Sequence, residues 1–172
     1  MPQLDSFATK EISLLPQNIV AAVEEAPLPD LGEGPSVTAL AESLLEKPKQ
    51  AWPSISSGQR ALCTSGLWLL AGDLDRSHTI SQDIGSAEGS FWHGIMHRRE
   101  GDFGNAKYWF RRVGEHAVLD ELSEISDGVY SDPYDFVDAC SRAVRAGGDA
   151  QQQCLRAQWL EWQALMRYCI TH

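Results

Sequence analysis

Basic residues are scarce in this chain: 14 Lys and Arg stand against 24 Asp and Glu, giving a formal net charge of −10 and a pI near 4.8. Over a Debye length such an envelope repels phosphate backbones and anionic headgroups, which argues against general nucleic-acid and membrane-surface binding. Long apolar runs are lacking too. The longest nearly apolar stretch, Ala61 to Gly72, is interrupted by Thr64, Ser65 and Gly66, and it falls short of the ~20 residues a membrane span requires. No basic n-region and apolar h-region follow Met1, and Asp5 stands where a signal peptide carries apolar residues, so secretory export is not expected. Cysteine is sparse and unpaired in pattern: Cys63, Cys140, Cys154 and Cys169 form no CxxC. Widely spaced within apolar helical patterns, they read as reduced core thiols of a cytoplasmic protein rather than as disulfides.

Catalytic signatures are also missing. There is no Gly-x-Ser-x-Gly elbow, no P-loop, no dinucleotide glycine fingerprint and no cysteine near a histidine in a family-specific context. The acids Glu24-Glu25 and Glu121-Leu122-Ser123-Glu124 read as solvated helix faces. Alternating strand patterns are almost absent, whereas apolar residues recur at helical spacing. The chain has 172 residues, 43% hydrophobic and 22% charged, enough for one domain with its own core.

Residues 1–35 read as an N-terminal arm and linker, partly helical, loosely attached to an all-α domain over 36–172. A short amphipathic helix is expected over Ile12 to Glu25, followed by the breaker cluster Pro27 to Pro35. Ser36 is placed to cap a helix through Val37, Leu40, Leu44 and Leu45, which Pro48 closes. The main body opens at Pro53. Downstream, Asp132 can cap a helix through Phe136, Val137, Cys140, Ala143 and Val144, ended by Gly147-Gly148, and Asp149 can cap the last helix. In that last helix Leu155, Trp159, Trp162, Met166 and Cys169 are spaced 4, 3, 4 and 3 residues apart, one continuous stripe. The stripe either closes the end of the helical stack or forms a homodimer seam, leaving monomer and homodimer both open.

Between Ser57 and Gly114 a short motif recurs after 29 residues: Gly72-Asp73-Leu74-Asp75-Arg76-Ser77 and Gly101-Asp102-Phe103-Gly104-Asn105-Ala106. Each Gly-Asp follows one apolar helical stretch and precedes another, so a helical hairpin is used twice. Glycine permits the turn, aspartate caps the second helix, and Ser77 or Ala106 lets the two helices approach. Stacked antiparallel hairpins, as a short solenoid or bundle, are the expected architecture.

The second unit, with Gly94, Gly101-Asp102-Phe103, Ala106, Phe110 and Val113, resembles the tetratricopeptide pattern of helix, Gly-Asp-aromatic turn, small residue and aromatic. The resemblance covers about a third of the chain, with a period of 29 residues against the ~34 of that family. It implies a helical-repeat module that binds a protein or peptide. The stretch from Ser77 through Phe91-Trp92-His93-Gly94-Ile95-Met96-His97-Arg98-Arg99-Glu100 to Arg111-Arg112 also resembles an uncharacterised family of bacterial proteins, which supplies no activity.

Two constellations in this region could carry chemistry. His93 and His97 lie four apart on one helix, so their imidazoles project from one face about 6 Å apart, near enough to share a metal ion. The helical wheel puts them at the margin of the packed face. In a hairpin stack His78 and Gln82 can face them, with Glu88 on the connecting loop and His116 beyond the next helix. His78, Glu88 and His116 are therefore candidate further ligands for a divalent transition metal, and the alternatives are a polar inter-helix pocket or ordinary packing histidines. Glu100 continues the stripe but lies ~10 Å along the axis from His93. The second constellation is Arg98, Arg99, Arg111 and Arg112, four of the 14 basic residues, beside Lys107 and Tyr108. Guanidinium forks there could receive an acidic peptide or a phosphorylated ligand, or could pair with the chain's own carboxylates. Trp92, Phe103, Trp109 and Phe110 lie on inward arcs and read as core.

The candidate pocket is thus His78, Gln82, Glu88, His93, His97, Arg98, Tyr108 and Arg112. Two functions are expected from these features: a helical-repeat interaction module, or a metal-binding protein or metal-dependent hydrolase centred on His93 and His97.

Overall fold

The computed structural model describes residues 3–46 and 52–172. Among them are ten helices and no strand: α1 (Ser6–Ile12), α2 (Gln17–Glu25), α3 (Thr38–Leu45), α4 (Ser57–Leu70), α5 (Leu74–Ser81), α6 (Ala87–Glu100), α7 (Phe103–Val113), α8 (Ala117–Ile125), α9 (Pro133–Ala146) and α10 (Gly148–Thr171). None of these helices is long and apolar enough to cross a membrane. Pro48 lies outside the described residues.

The two Gly-Asp turns build two alike hairpins, α4–α5 and α6–α7. Gly72 and Gly101 adopt φ of 79° and 87°, the left-handed conformation that residues with a Cβ avoid. The next residue then starts the second helix: Asp73 accepts the Arg76 N–H and Asp102 the Asn105 N–H, each at 3.0 Å. Missing side chains set the packing distance. A Cβ on Gly94 would lie 3.1 Å from the Phe110 ring, and one on Gly66 2.5 Å from Trp92, so α7 and α4 can close on α6 only because these positions are glycine. Ser77 and Ala106 are fully buried at the helix contacts. Ser56 and Gln59 form a reciprocal capping box at the start of α4.

Helix α10 runs 24 residues and packs against α1, α4, α8 and α9. Every residue from Ala157 to Met166 is buried, so this middle part of the helix is enclosed on all sides. The apolar stripe, for which the sequence leaves docking on the protein's own helices and a dimer seam both open, is covered by the protein's own helices, with Trp159, Trp162, Met166 and Cys169 at most 2% exposed. It starts at Gly148 without a side-chain cap, and Asp149 sits in its first turn.

The N-terminal arm is not loosely attached. Pro16 splits the expected helix into α1 and α2, and Ala8, Ile12, Leu15, Ile19, Val20 and Val23 join the main core. Polar anchors hold it: the Asp5 N–H donates to Gln163 Oε1 at 2.7 Å, Gln163 Nε2 donates back to Asp5 Oδ2 at 2.7 Å, and Arg156 pairs with Asp5. The breaker cluster becomes a strap pinned by Gln158, which donates to the carbonyls of Pro29 and Asp30 at 2.9 and 3.0 Å. Helix α3 begins at Thr38 after Val37, without a side-chain cap from Ser36.

Candidate metal centre

Helix α6 sits between α5 and α7, with α4 and α9 also against it. Eleven consecutive residues, Gly89 to Arg99, are buried. His93 and His97 are therefore 1% and 7% exposed rather than marginal, because the wheel of α6 alone could not reveal neighbours on every side. His78, in the last turn of α5, meets them. The ring centroids of His78 lie 4.7 Å from His93 and 5.6 Å from His97, and those of His93 and His97 lie 4.8 Å apart. One nitrogen from each of the three rings falls within 4.8 Å of the other two.

Hydrogen bonds orient two of the rings. The Ser81 hydroxyl donates to the His78 carbonyl at 3.3 Å and lies 3.0 Å from His93 Nδ1. Where His93 Nδ1–H donates to Ser81 Oγ, the Nε2 lone pair is left free. His97 Nδ1 donates to Glu100 Oε2 at 3.0 Å, and its Nε2 lone pair faces the Asn105 amide nitrogen at 3.0 Å. Carboxylate or hydroxyl partners on the rear nitrogen are how metal-ligating histidines are held in one tautomer. Burial, together with the neighbouring His97 and His78, pushes His93 down to about 4, so it is a neutral electron-pair donor at neutral pH. Trp109 covers His93 with ring centroids 4.0 Å apart, and the Arg112 guanidinium lies over Trp109 at 5.2 Å.

The other expected site residues go elsewhere. Gln82 is the exposed C-cap of α5. Glu88 and His116 pair with each other at 3.3 Å, and His116 Nδ1 accepts the Val118 N–H at the start of α8 while its ring packs on Phe91 and Tyr168. They are not ligands to the same point as the three histidines. Tyr108 is 46% exposed, edge-on to Trp109.

The arginine cluster divides: Arg98 and Arg99 are buried, and only Arg111 and Arg112 remain on the surface. Arg98 is buried against Glu161 of α10 in an ion pair with both side chains at 0% exposure. It also donates to Gln158 Oε1 at 3.2 Å and packs over the Phe136 ring at 4.6 Å. Burial opposes its charge, and Glu161 more than offsets that. The Tyr130 hydroxyl donates to Glu161 Oε1 at 2.9 Å. Arg99 points to the strap, donating to the carbonyls of Gly32 at 3.0 Å, Glu33 at 2.9 Å and Leu69. Burial lowers it to about 10, with Asp30 opposing the shift and Arg98 adding to it. Lys107 pairs with Asp138 at 2.7 Å, and Arg111 and Arg112 are exposed. Of the network around Arg98, Glu161 had a visible signal: a carboxylate between Trp159 and Trp162 inside an apolar helix.

No family model, no curated protein and no solved structure matches the chain.

Proposed function

We propose that this protein binds one divalent transition metal of the zinc class through His78, His93 and His97. The observation that carries the reading is the convergence of three imidazole nitrogens from two helices within 4.8 Å of one another. Three imidazole nitrogens gathered this closely, two of them on buried rings, form a donor set that a single cation can bridge. A tetrahedral zinc with bonds of about 2.0–2.1 Å sets its ligand atoms ~3.4 Å apart. Closure from the present geometry needs roughly an ångström of ring movement at the widest pair, with Asn105 released from His97.

Three protein ligands leave a fourth position for water or a small anion. Water bound there to zinc ionises near neutral pH, which is the chemistry of metal-dependent hydrolysis. Ser81 and Glu100 supply the outer-shell bonds that hold the rings. The interaction-module reading rests on the hairpin scaffold and its tetratricopeptide likeness, and the burial of Arg98 and Arg99 leaves Arg111 and Arg112 as the exposed arginines of the cluster expected to receive an acidic peptide.

Elemental analysis of protein purified without an immobilised-metal column tests the reading. One equivalent of zinc, nickel, cobalt or copper per chain, lost on His93→Ala together with a fall in thermal midpoint, supports it. Metal-free protein that gains no stability from added zinc rejects it and leaves the interaction module.

A further inference from the structure

Away from the histidines, α9 and α10 form a third hairpin about Gly147, and two cysteines face each other across it. Cys140 lies seven residues before Gly147 and Cys154 seven after, and in an antiparallel hairpin with so tight a turn, equidistant residues oppose one another. Arg98 and Arg142 are the cations near Cys154. Cys140 is fully buried, but Cys154 forms part of the wall of a cleft of about 470 Å³ between the α8–α9 connection and the hairpin, beside Val129, Ala139, Arg142 and Gln153.

We propose that Cys140 and Cys154 are a peroxide-oxidisable dithiol, in which Cys154 takes the oxygen and Cys140 closes a disulfide across the hairpin. The cleft admits a small hydroperoxide to Cys154 and not to Cys140. The Cys154 thiolate attacks the terminal peroxide oxygen, the O–O bond breaks, and the alkoxide or hydroxide leaving group takes a proton from water. The resulting Cys154 sulfenic acid then reacts with the Cys140 thiol: the S–S bond forms and the oxygen leaves as water with the Cys140 proton. Two thiols lose two electrons and the peroxide gains them.

The electrostatics suit this division of labour. The neighbouring Cys140 thiol, against burial and with help from Arg98 and Arg142, holds Cys154 below the ordinary thiol value, while Cys154 and burial push Cys140 up. Cys63 and Cys169 provide an internal contrast. They are fully buried or nearly so, and burial pushes Cys63 up to about 12 and Cys169 well above its ordinary value, so both stay as unreactive thiols.

The test uses the full reduced chain with a small molar excess of hydrogen peroxide, followed by denaturation, alkylation with iodoacetamide and peptide mapping. Alkylatable thiols fall from the four free cysteines to two, and one linked peptide joins Cys140 to Cys154. The rate of thiol loss rises with pH, following the thiolate. In Cys140→Ser the Cys154 sulfenic acid accumulates and is trapped by dimedone; in Cys154→Ser neither residue is consumed. Retention of all four thiols, consumption of Cys63 or Cys169 at a comparable rate, or a link between two chains overturns the proposal. The mapping of the unsubstituted chain decides the matter even where a variant does not fold.

Discussion

Helix α6 offers Arg98 and Arg99 to one set of neighbours and His93 and His97 to another, and both sets of side chains are buried. On the arginine side the partners are built in. Glu161, Gln158 and three backbone carbonyls receive both terminal nitrogens of each guanidinium, leaving only Arg98 Nε without a bond. On the histidine side like meets like: three rings converge, and their own acceptors and donors occupy the rear nitrogens or an adjacent amide. Buried polar groups that satisfy one another hold a fold together. The converging histidines are the group proposed to hold a cation. Polarity and burial are similar on the two sides of α6; the arginines meet a carboxylate and carbonyls, whereas the histidines meet one another beside Ser81, Glu100 and Asn105.

The largest effect expected from breaking this contrast comes from the arginine side. Glu161→Ala strands the Arg98 charge at 0% exposure, and loss of one partner of a buried pair costs about 3–5 kcal/mol. Urea unfolding should show that loss, while metal binding by the remaining folded protein is unchanged. Replacing both partners with apolar residues, Arg98→Met with Glu161→Leu, should restore much of the stability, which separates the pair's structural role from any ligand role. Next in size is Arg99→Ala, which removes the three carbonyl bonds to the strap and the α4 end at about 1–3 kcal/mol. Limited proteolysis should then cut first between residues 27 and 35.

A smaller effect concerns pH on the histidine side. His93 has its ordinary value of 6.5 in the unfolded chain and about 4 when folded. The unfolded state therefore takes up the proton first, and stability present above 6.5 is lost as the pH falls toward about 4. The thermal midpoint of metal-free protein should fall across that window, and His93→Gln should flatten the slope. Glu88 contributes in the same direction at lower pH. Burial raises it, but hydrogen bonds from Ser86, its backbone and His116 hold it below the ordinary carboxylate value, so its contribution disappears as the pH falls through that lowered value.

Local signals made the hairpins legible in the sequence. Gly72-Asp73 and Gly101-Asp102 each state a turn and a cap within two residues, and the stacking of the resulting hairpins was enough to set His78 against His93 and His97. Gln82, Glu88 and His116 fell out because a few degrees of helix rotation and the path of the α7–α8 connection decide them, and neither is written locally. Long-range pairing was the harder part. Arg98 and Glu161 are 63 residues apart, and Asp5 and Gln163 are 158 apart, so nothing near Arg98 marks it as buried and nothing near Pro27 marks the strap as anchored. Helix α10 read as a terminal stripe because its apolar residues form one seam, whereas its polar core residues Gln158, Glu161 and Gln163 are buried only through partners on other elements.

Titration of metal-free protein with cobalt(II), followed by visible absorption, tests the metal centre most directly. One equivalent per chain should bring up the intense d–d bands of a four-coordinate nitrogen-ligated ion, added zinc should bleach them, and His78→Ala, His93→Ala and His97→Ala should each abolish them while Glu88→Ala and His116→Ala leave them intact. Weak six-coordinate spectra, or bands that survive the loss of His93, would contradict a metal centre at these three histidines.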